Sequence, residues 1–246
     1  MSKATISRKN ERLLHTKSGN RCAICKITFV EPTNPNSACV GENAHIYGEK
    51  PGTARYDATK DATFVNSEKN LIFLCCNCHK KIDTDVDSYP VEFLFEKKNE
   101  HEQWVVEMLK QKSVSYSFVE LEVLAKYLMS SATPMKNKQS YSLLKIDEKI
   151  KKNSLQRVQM YITMGLSNNS TIDDYLNKNP DPLFATQLTN IMAQKYHELK
   201  MNGLDNEEIF NDLWDFASGM QSDFSYKAAG LGILTYFFEK CEVFEK

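Results

Sequence analysis

Two cysteine pairs, Cys22-x-x-Cys25 and Cys75-x-x-Cys78, limit this 246-residue chain more than anything else in it. A two-residue gap turns both thiols of a pair toward one point. Two such knuckles, roughly 50 residues apart, complete a tetrahedral four-cysteine site of the closed kind that holds structural zinc. The chain has seven cysteines, an odd number, and five of them fall in the two clusters. Met1-Ser2-Lys3-Ala4-Thr5 lacks the apolar run of a secretory signal. A disulfide framework is therefore disfavoured, a metal site is favoured over unrelated core cysteines, and a cytoplasmic location is expected. Cys76 is an alternative ligand that breaks the spacing. Cys39 and Cys241 read as small buried hydrophobes.

Around the knuckles the pattern is that of a compact ββα unit. Ser7 to Thr16 reads as a helix stopped by Ser18-Gly19-Asn20. Glu31 to Ser37 is loop, Ala38 to Tyr47 a strand, Gly48 to Glu68 a polar loop, and Asn70 to Leu74 a second strand. A helix begins at Cys75 and runs to Asp83. Pro90 to Lys112 and Phe118 to Met129 follow as helices. The polar, aperiodic stretch from Ser130 to Ser142 contains Pro134 and marks a boundary. The expected organisation is a domain over 1–130, a linker over 131–140 and a helical domain over 141–246. The fold class is mainly α, with a small zinc-stapled ββα core and a separate all-α C-terminal domain. No apolar run approaches the roughly 20 residues that cross a bilayer.

The stretches Ala44-His45-Ile46, Asn70-Leu71-Ile72 and Leu74-Cys75-Cys76-Asn77-Cys78-His79-Lys80-Lys81-Ile82-Asp83 resemble the HNH, or ββα-metal, endonucleases over roughly residues 10–110. The resemblance implies hydrolysis of DNA phosphodiester bonds, with His45 as the general base and Asn70 bracing the loop and orienting that base. It makes His79 a ligand to one catalytic divalent ion. A neutral imidazole suits the first role near neutral pH. Asp83, four residues after His79, shares its helix face, and a carboxylate there suits Mg2+ or Mn2+. Many members carry an Asp or His just before the base, where this chain has Ala44. Glu42, two residues earlier on the same strand face, can supply that oxygen. Read singly, each residue has a plainer use: His45 as a structural histidine, Asn70 as a turn former, Asp83 as a solvated helix residue. Lys50, Arg55 and Lys60 either grip phosphates or are plain loop. His15, His101 and His197 match nothing in the pattern. A catalytically inactive zinc module that binds nucleic acid or protein is the competing reading; it has no need of both His45 and His79.

Residues 1–88 hold 13 Lys/Arg against 10 Asp/Glu, a net of +3, and residues 147–246 hold 10 against 15, a net of −5. The positive half is the better partner for double-stranded DNA. Beyond Ile146 the apolar residues fall at helical spacing. Lys149-Ile150-Lys151-Lys152-Asn153-Ser154-Leu155 and Tyr236-Phe237-Phe238-Glu239-Lys240-Cys241-Glu242-Val243-Phe244-Glu245 resemble the C-terminal domains of effector subunits in ABC three-component systems, a group that includes Lamassu-type anti-phage operons. That resemblance implies docking to an SMC-like ATPase. Dimerisation or scaffolding is the plainer use. Tyr236-Phe237-Phe238 spans about 200° of a helix surface, more than one core face is expected to cover, so at least one ring is expected at an interface with a partner or second copy.

Overall fold

The computed structural model describes residues 5–30, 40–113, 116–131, 145–240 and 243–244. The readings of Cys39, Cys241, the 31–37 loop and the linker beyond Ser131 lie outside the described residues. The chain divides into two compact units within one helix, between Glu107 and Met108.

The N-terminal unit opens with α1 (Arg8–Ser18). Ser7 caps it by accepting from the Asn10 N–H, and Gly19 ends it in the left-handed region at φ 57. The first knuckle follows as a tight turn in which Cys22 N–H donates to Ile27 and Lys26 N–H to Cys22. β1 (Gly41–His45) pairs antiparallel with β2 (Leu71–Cys75), setting Glu42 opposite Leu74 and His45 opposite Leu71. The expected first strand is thus shorter. The polar loop between the strands holds a short helix, α2 (Ala62–Val65), capped by Asp61, and a 3-10 turn over Glu68–Asn70. α3 (Cys76–Thr84) starts directly where β2 ends, with Cys75 as its N-cap. The second knuckle is therefore the first turn of a helix, whose free N–H groups favour thiolates. All five residues of β2 are buried, and they pack with Leu14, Phe29, Ile46, Ile82 and Leu94. Leu94 lies on α4 (Val91–Ser113).

His101, without a role in the sequence pattern, braces this unit. It is buried on α4, one ring nitrogen facing the Ser18 carbonyl at 2.9 Å and the other the Lys26 ammonium at 2.5 Å. The carbonyl requires Nε2 to carry the proton, so Nδ1 accepts from Lys26. Burial first, and Lys26 second, depress its pKa from 6.5 to about 4. The unfolded chain therefore binds a proton over this window that the folded unit refuses. Stability is complete above about pH 6.5 and is lost as pH falls toward 4. Between pH 7 and 5 the loss should be about 2 kcal/mol. Urea unfolding of wild type and His101→Gln at both pH values checks this: the variant should show the shallower pH dependence, and equal slopes would remove His101 as the cause.

Among the described residues the regular structure of the C-terminal unit is helical: α5 (Phe118–Ser130), α6 (Ile146–Lys152), α7 (Gln159–Leu166), α8 (Asn169–Asn177), α9 (Phe184–Met201), α10 (Asn206–Ala217) and α11 (Phe224–Glu239) follow α4. α11 is its centre and packs against α5, α7, α8, α9 and α10. It brings two small residues close to neighbours: a Cβ on Gly232 would meet the Tyr116 hydroxyl at 2.4 Å, and one on Gly230 would meet Ser218. Two expectations are corrected here. α5 packs on α8, α9, α10 and α11 through Leu121, Leu124, Ala125 and Leu128, so it belongs with the C-terminal unit and not with a domain over 1–130. The Tyr236-Phe237-Phe238 arc is also used internally. Phe237 and Phe238 are buried, and the half-buried Tyr236 donates its hydroxyl to Asp173 at 2.6 Å. One core face does not cover 200°, but a helix surrounded by five others needs no outside partner to do so.

The Lys149–Leu155 motif also finds a structural use. Lys149 is fully buried and donates to the Phe238 carbonyl at 2.7 Å, placing a cation at the C-terminal end of α11. Asn153 is buried and turns its amide back to the Lys149 carbonyl. Lys149→Met keeps the stem and leaves that carbonyl without this donor, which should cost about 1–3 kcal/mol. Thermal unfolding would show it as a lower Tm; an unchanged or higher Tm would contradict the role. No helix of the described residues is long and apolar enough to cross a membrane.

Candidate active site

The four knuckle cysteines converge. One sulfur from each of Cys22, Cys25, Cys75 and Cys78 lies within 4.8 Å of the others, and Cys25 Sγ is 3.7 Å from Cys75 Sγ. A tetrahedral ion with Zn–S bonds of about 2.3 Å sets its sulfurs about 3.8 Å apart, so the donor set fits zinc. Cys22, Cys75 and Cys78 are buried, while Cys76 is exposed and outside the cluster. The thiols are poorly suited to standing together alone. Burial opposes the ionisation of Cys22, but backbone N–H groups outweigh it and hold that thiol below its usual range. Burial pushes Cys25 and Cys78 up, and neighbouring thiols add to the rise at Cys78. A divalent cation removes this conflict by favouring all four thiolates.

One turn along α3 from Cys75, His79 faces two carboxylates. Its Nδ1 lies 2.7 Å from Glu42 Oε2 and its Nε2 3.4 Å from Asp83 Oδ2. The Glu42 contact links β1 to α3, and the Asp83 contact is the i,i+4 pair that the helix period places on one face. All three side chains reach solvent, at 27% exposure for His79, 51% for Glu42 and 46% for Asp83. A hard cation can enter between such groups without burying bare charge. Ala44, by contrast, is fully buried in the core.

His45 sits at the end of β1, half-buried, with its Nε2 3.2 Å from Asn66 Oδ1. The Asn66 amide nitrogen donates to Ala62 O, which turns its oxygen to the ring. Nε2 is then the donor, and Nδ1 keeps the lone pair a base needs. Asn70 is completely buried. It accepts from Tyr47 N–H, donates to Tyr47 O and Val65 O, and takes the Ile46 N–H on its own carbonyl. It fixes the two residues after His45 and the loop beyond, and Asn66 makes the contact to the ring. Asn66 was not marked by the sequence pattern; only its place four residues before Asn70 hints at it. Among the loop cations, Lys60 leans over the Tyr47 ring at 4.8 Å. The Arg55 side chain is buried and contacts Asp83 at 2.7 Å, so it is neither plain loop nor free to grip phosphate.

Residues 105–244, more than half of the chain, match the family model for C-terminal domain 11 of the ABC-three component systems. The chain belongs to that family. Residues 22–85 match the model for HNH endonuclease, a span that begins at the first knuckle cysteine and contains His45, Asn70, His79 and Asp83. Both resemblances read from the motifs are thus shown, and this ABC-three component chain joins an HNH endonuclease region to its helical C-terminal domain. No curated protein matches the chain.

Proposed function

We propose that the chain is a metal-dependent HNH endonuclease that hydrolyses double-stranded DNA as the effector subunit of an anti-phage ABC-three component complex. The observation that carries the reading is His79, held between Glu42 and Asp83 on the helix whose first turn supplies half of the four-cysteine cluster. A zinc module without activity has no use for an imidazole placed between two carboxylates one turn from its cysteines.

The four-cysteine cluster would hold zinc as a closed structural site. Glu42, His79 and Asp83 would hold Mg2+ or Mn2+, which supplies charge neutralisation at the scissile phosphate and at the leaving oxygen. His45 Nδ1 takes a proton from the attacking water as the new P–O bond forms. Asn66 keeps that ring in the tautomer with its lone pair outward, and Asn70 holds the chain that follows. The departing 3′ or 5′ oxygen takes its proton from solvent water as the old P–O bond breaks, and the proton held on His45 returns to solvent.

The C-terminal domain would dock to a protein partner such as an SMC-like ATPase, in the cytoplasm. Its acid surplus disfavours DNA there. Because the aromatic triplet is internal, docking would fall to exposed apolar positions such as Val119, Leu183 and Met220. The test is incubation of the zinc-loaded full chain with supercoiled plasmid and Mg2+ or Mn2+. Nicked or linear product is expected, and plasmid left intact across both ions would overturn the reading.

A further inference from the structure

Arg55 stands third in the turn that Tyr56 N–H closes on the Thr53 carbonyl, in a backbone conformation that residues with a side chain adopt rarely. Its φ is 57, in the left-handed region that costs a residue with a Cβ about 1 kcal/mol or more. Its side chain is only 2% exposed, although the loop around it is polar and open. A guanidinium is buried this way only when its fork of donors is met. Here Nε donates to the Ile46 carbonyl at 2.9 Å, Nη1 to the Ile82 carbonyl, and Nη2 to Asp83 Oδ1 at 2.7 Å. Ile46 is the residue after His45, and Ile82 and Asp83 lie one turn beyond His79 on α3. One planar side chain therefore ties the strand end that carries the proposed base to the helix end that carries the proposed metal ligands. It also divides the Asp83 carboxylate: Oδ1 is taken by Arg55, while Oδ2 faces His79.

We infer that Arg55 is a positioning residue of this nuclease site, fixing Asp83 with one oxygen free for the divalent ion and setting the spacing of β1 and α3 around it. The inference rests on the proposed function. Lysine cannot replace it, since an ammonium is a single point and not a fork reaching three acceptors in two elements. Hydrogen-bond partners behind a metal ligand typically govern affinity and activity by about 10–100-fold.

The experiment uses the zinc-loaded full chain carrying Arg55→Lys, Arg55→Gln, Asp83→Asn, or Arg55→Gln with Asp83→Asn. It reads Mn2+ affinity by electron paramagnetic resonance, plasmid cleavage, and zinc content. Both Arg55 variants should keep their zinc, bind Mn2+ about 10–100-fold more weakly, and lose cleavage to a similar degree. The double variant should lose no more than the worse single one, since both changes break the same arrangement. Wild-type Mn2+ affinity in both Arg55 variants would overturn the inference. So would loss of zinc and of folded structure in both, which would make Arg55 structural only. A wild-type chain that neither binds Mn2+ nor cuts plasmid would instead overturn the nuclease reading beneath it, and shows before any substitution is compared.

Discussion

His45→Ala should lower the single-turnover rate of plasmid cleavage by about 10³-fold, the middle of the range for removing a positioned general base. The fold should hold. His45 is half-buried and its hydrogen bond to Asn66 is to a neutral amide, so the cost to stability is about 1 kcal/mol. Asn70, not His45, secures the turn: its amide and carbonyl satisfy groups on Ile46, Tyr47 and Val65, none of which the substitution touches. Cleavage rate and thermal unfolding should therefore separate, with rate collapsing and Tm nearly unchanged. Rate and Tm falling together would mean that His45 is a structural histidine, and an unchanged rate would remove it from the chemistry.

Cys78→Ser should have the largest effect on stability. Structural zinc in small domains contributes on the order of 10–16 kcal/mol of apparent binding energy, and a domain's net stability is only about 5–15 kcal/mol. Cys78 Sγ is one of four donors, and its neighbours in the cluster tie β2 and α3 to the first knuckle, 50 residues away. Without the fourth thiolate the N-terminal unit should unfold, while the C-terminal unit, with its own core around α11, stays folded. Hydrogen exchange should then show β1, β2 and α3 unprotected and α9 to α11 protected. Cys76→Ser, on the exposed cysteine outside the cluster, should leave both units intact. Protection retained throughout the Cys78 variant, with zinc gone, would show that the hydrophobic cluster suffices by itself.

The parts of this molecule that could be read from the sequence are those written at short, fixed spacing. The knuckles, the i,i+4 pair of His79 and Asp83, and the i,i+2 relation of Glu42 to Ala44 each follow from the geometry of one turn, helix or strand. The structure brings the four cysteines together in one cluster, and Glu42 and Asp83 together around His79. Asn66 and Arg55 could not be read this way. Each acts across a loop, on a partner 21 or 28 residues away, and neither its residue type nor its neighbours differ from ordinary loop sequence. The positive φ at Arg55 is likewise invisible in a sequence that has a glycine nearby at 52. The boundary after α5 failed for a related reason. A polar stretch shows where the chain is exposed, but not which core the preceding helix joins, and Leu121, Leu124 and Leu128 join the later one. The aromatic triplet misled because periodicity counts how much of a helix is apolar and not how many neighbours surround it.

Metal-dependent cleavage separates the proposed structural zinc at the four cysteines from the proposed divalent ion at Glu42, His79 and Asp83. Wild type and His79→Ala, each carrying zinc in the four-cysteine site, would be given plasmid while Mg2+ or Mn2+ is titrated in. The expected result is no cleavage with zinc alone, cleavage that rises with the added ion in wild type, and its loss in His79→Ala at unchanged zinc content. Cleavage by wild type without any added ion, or equal cleavage by His79→Ala, would contradict it.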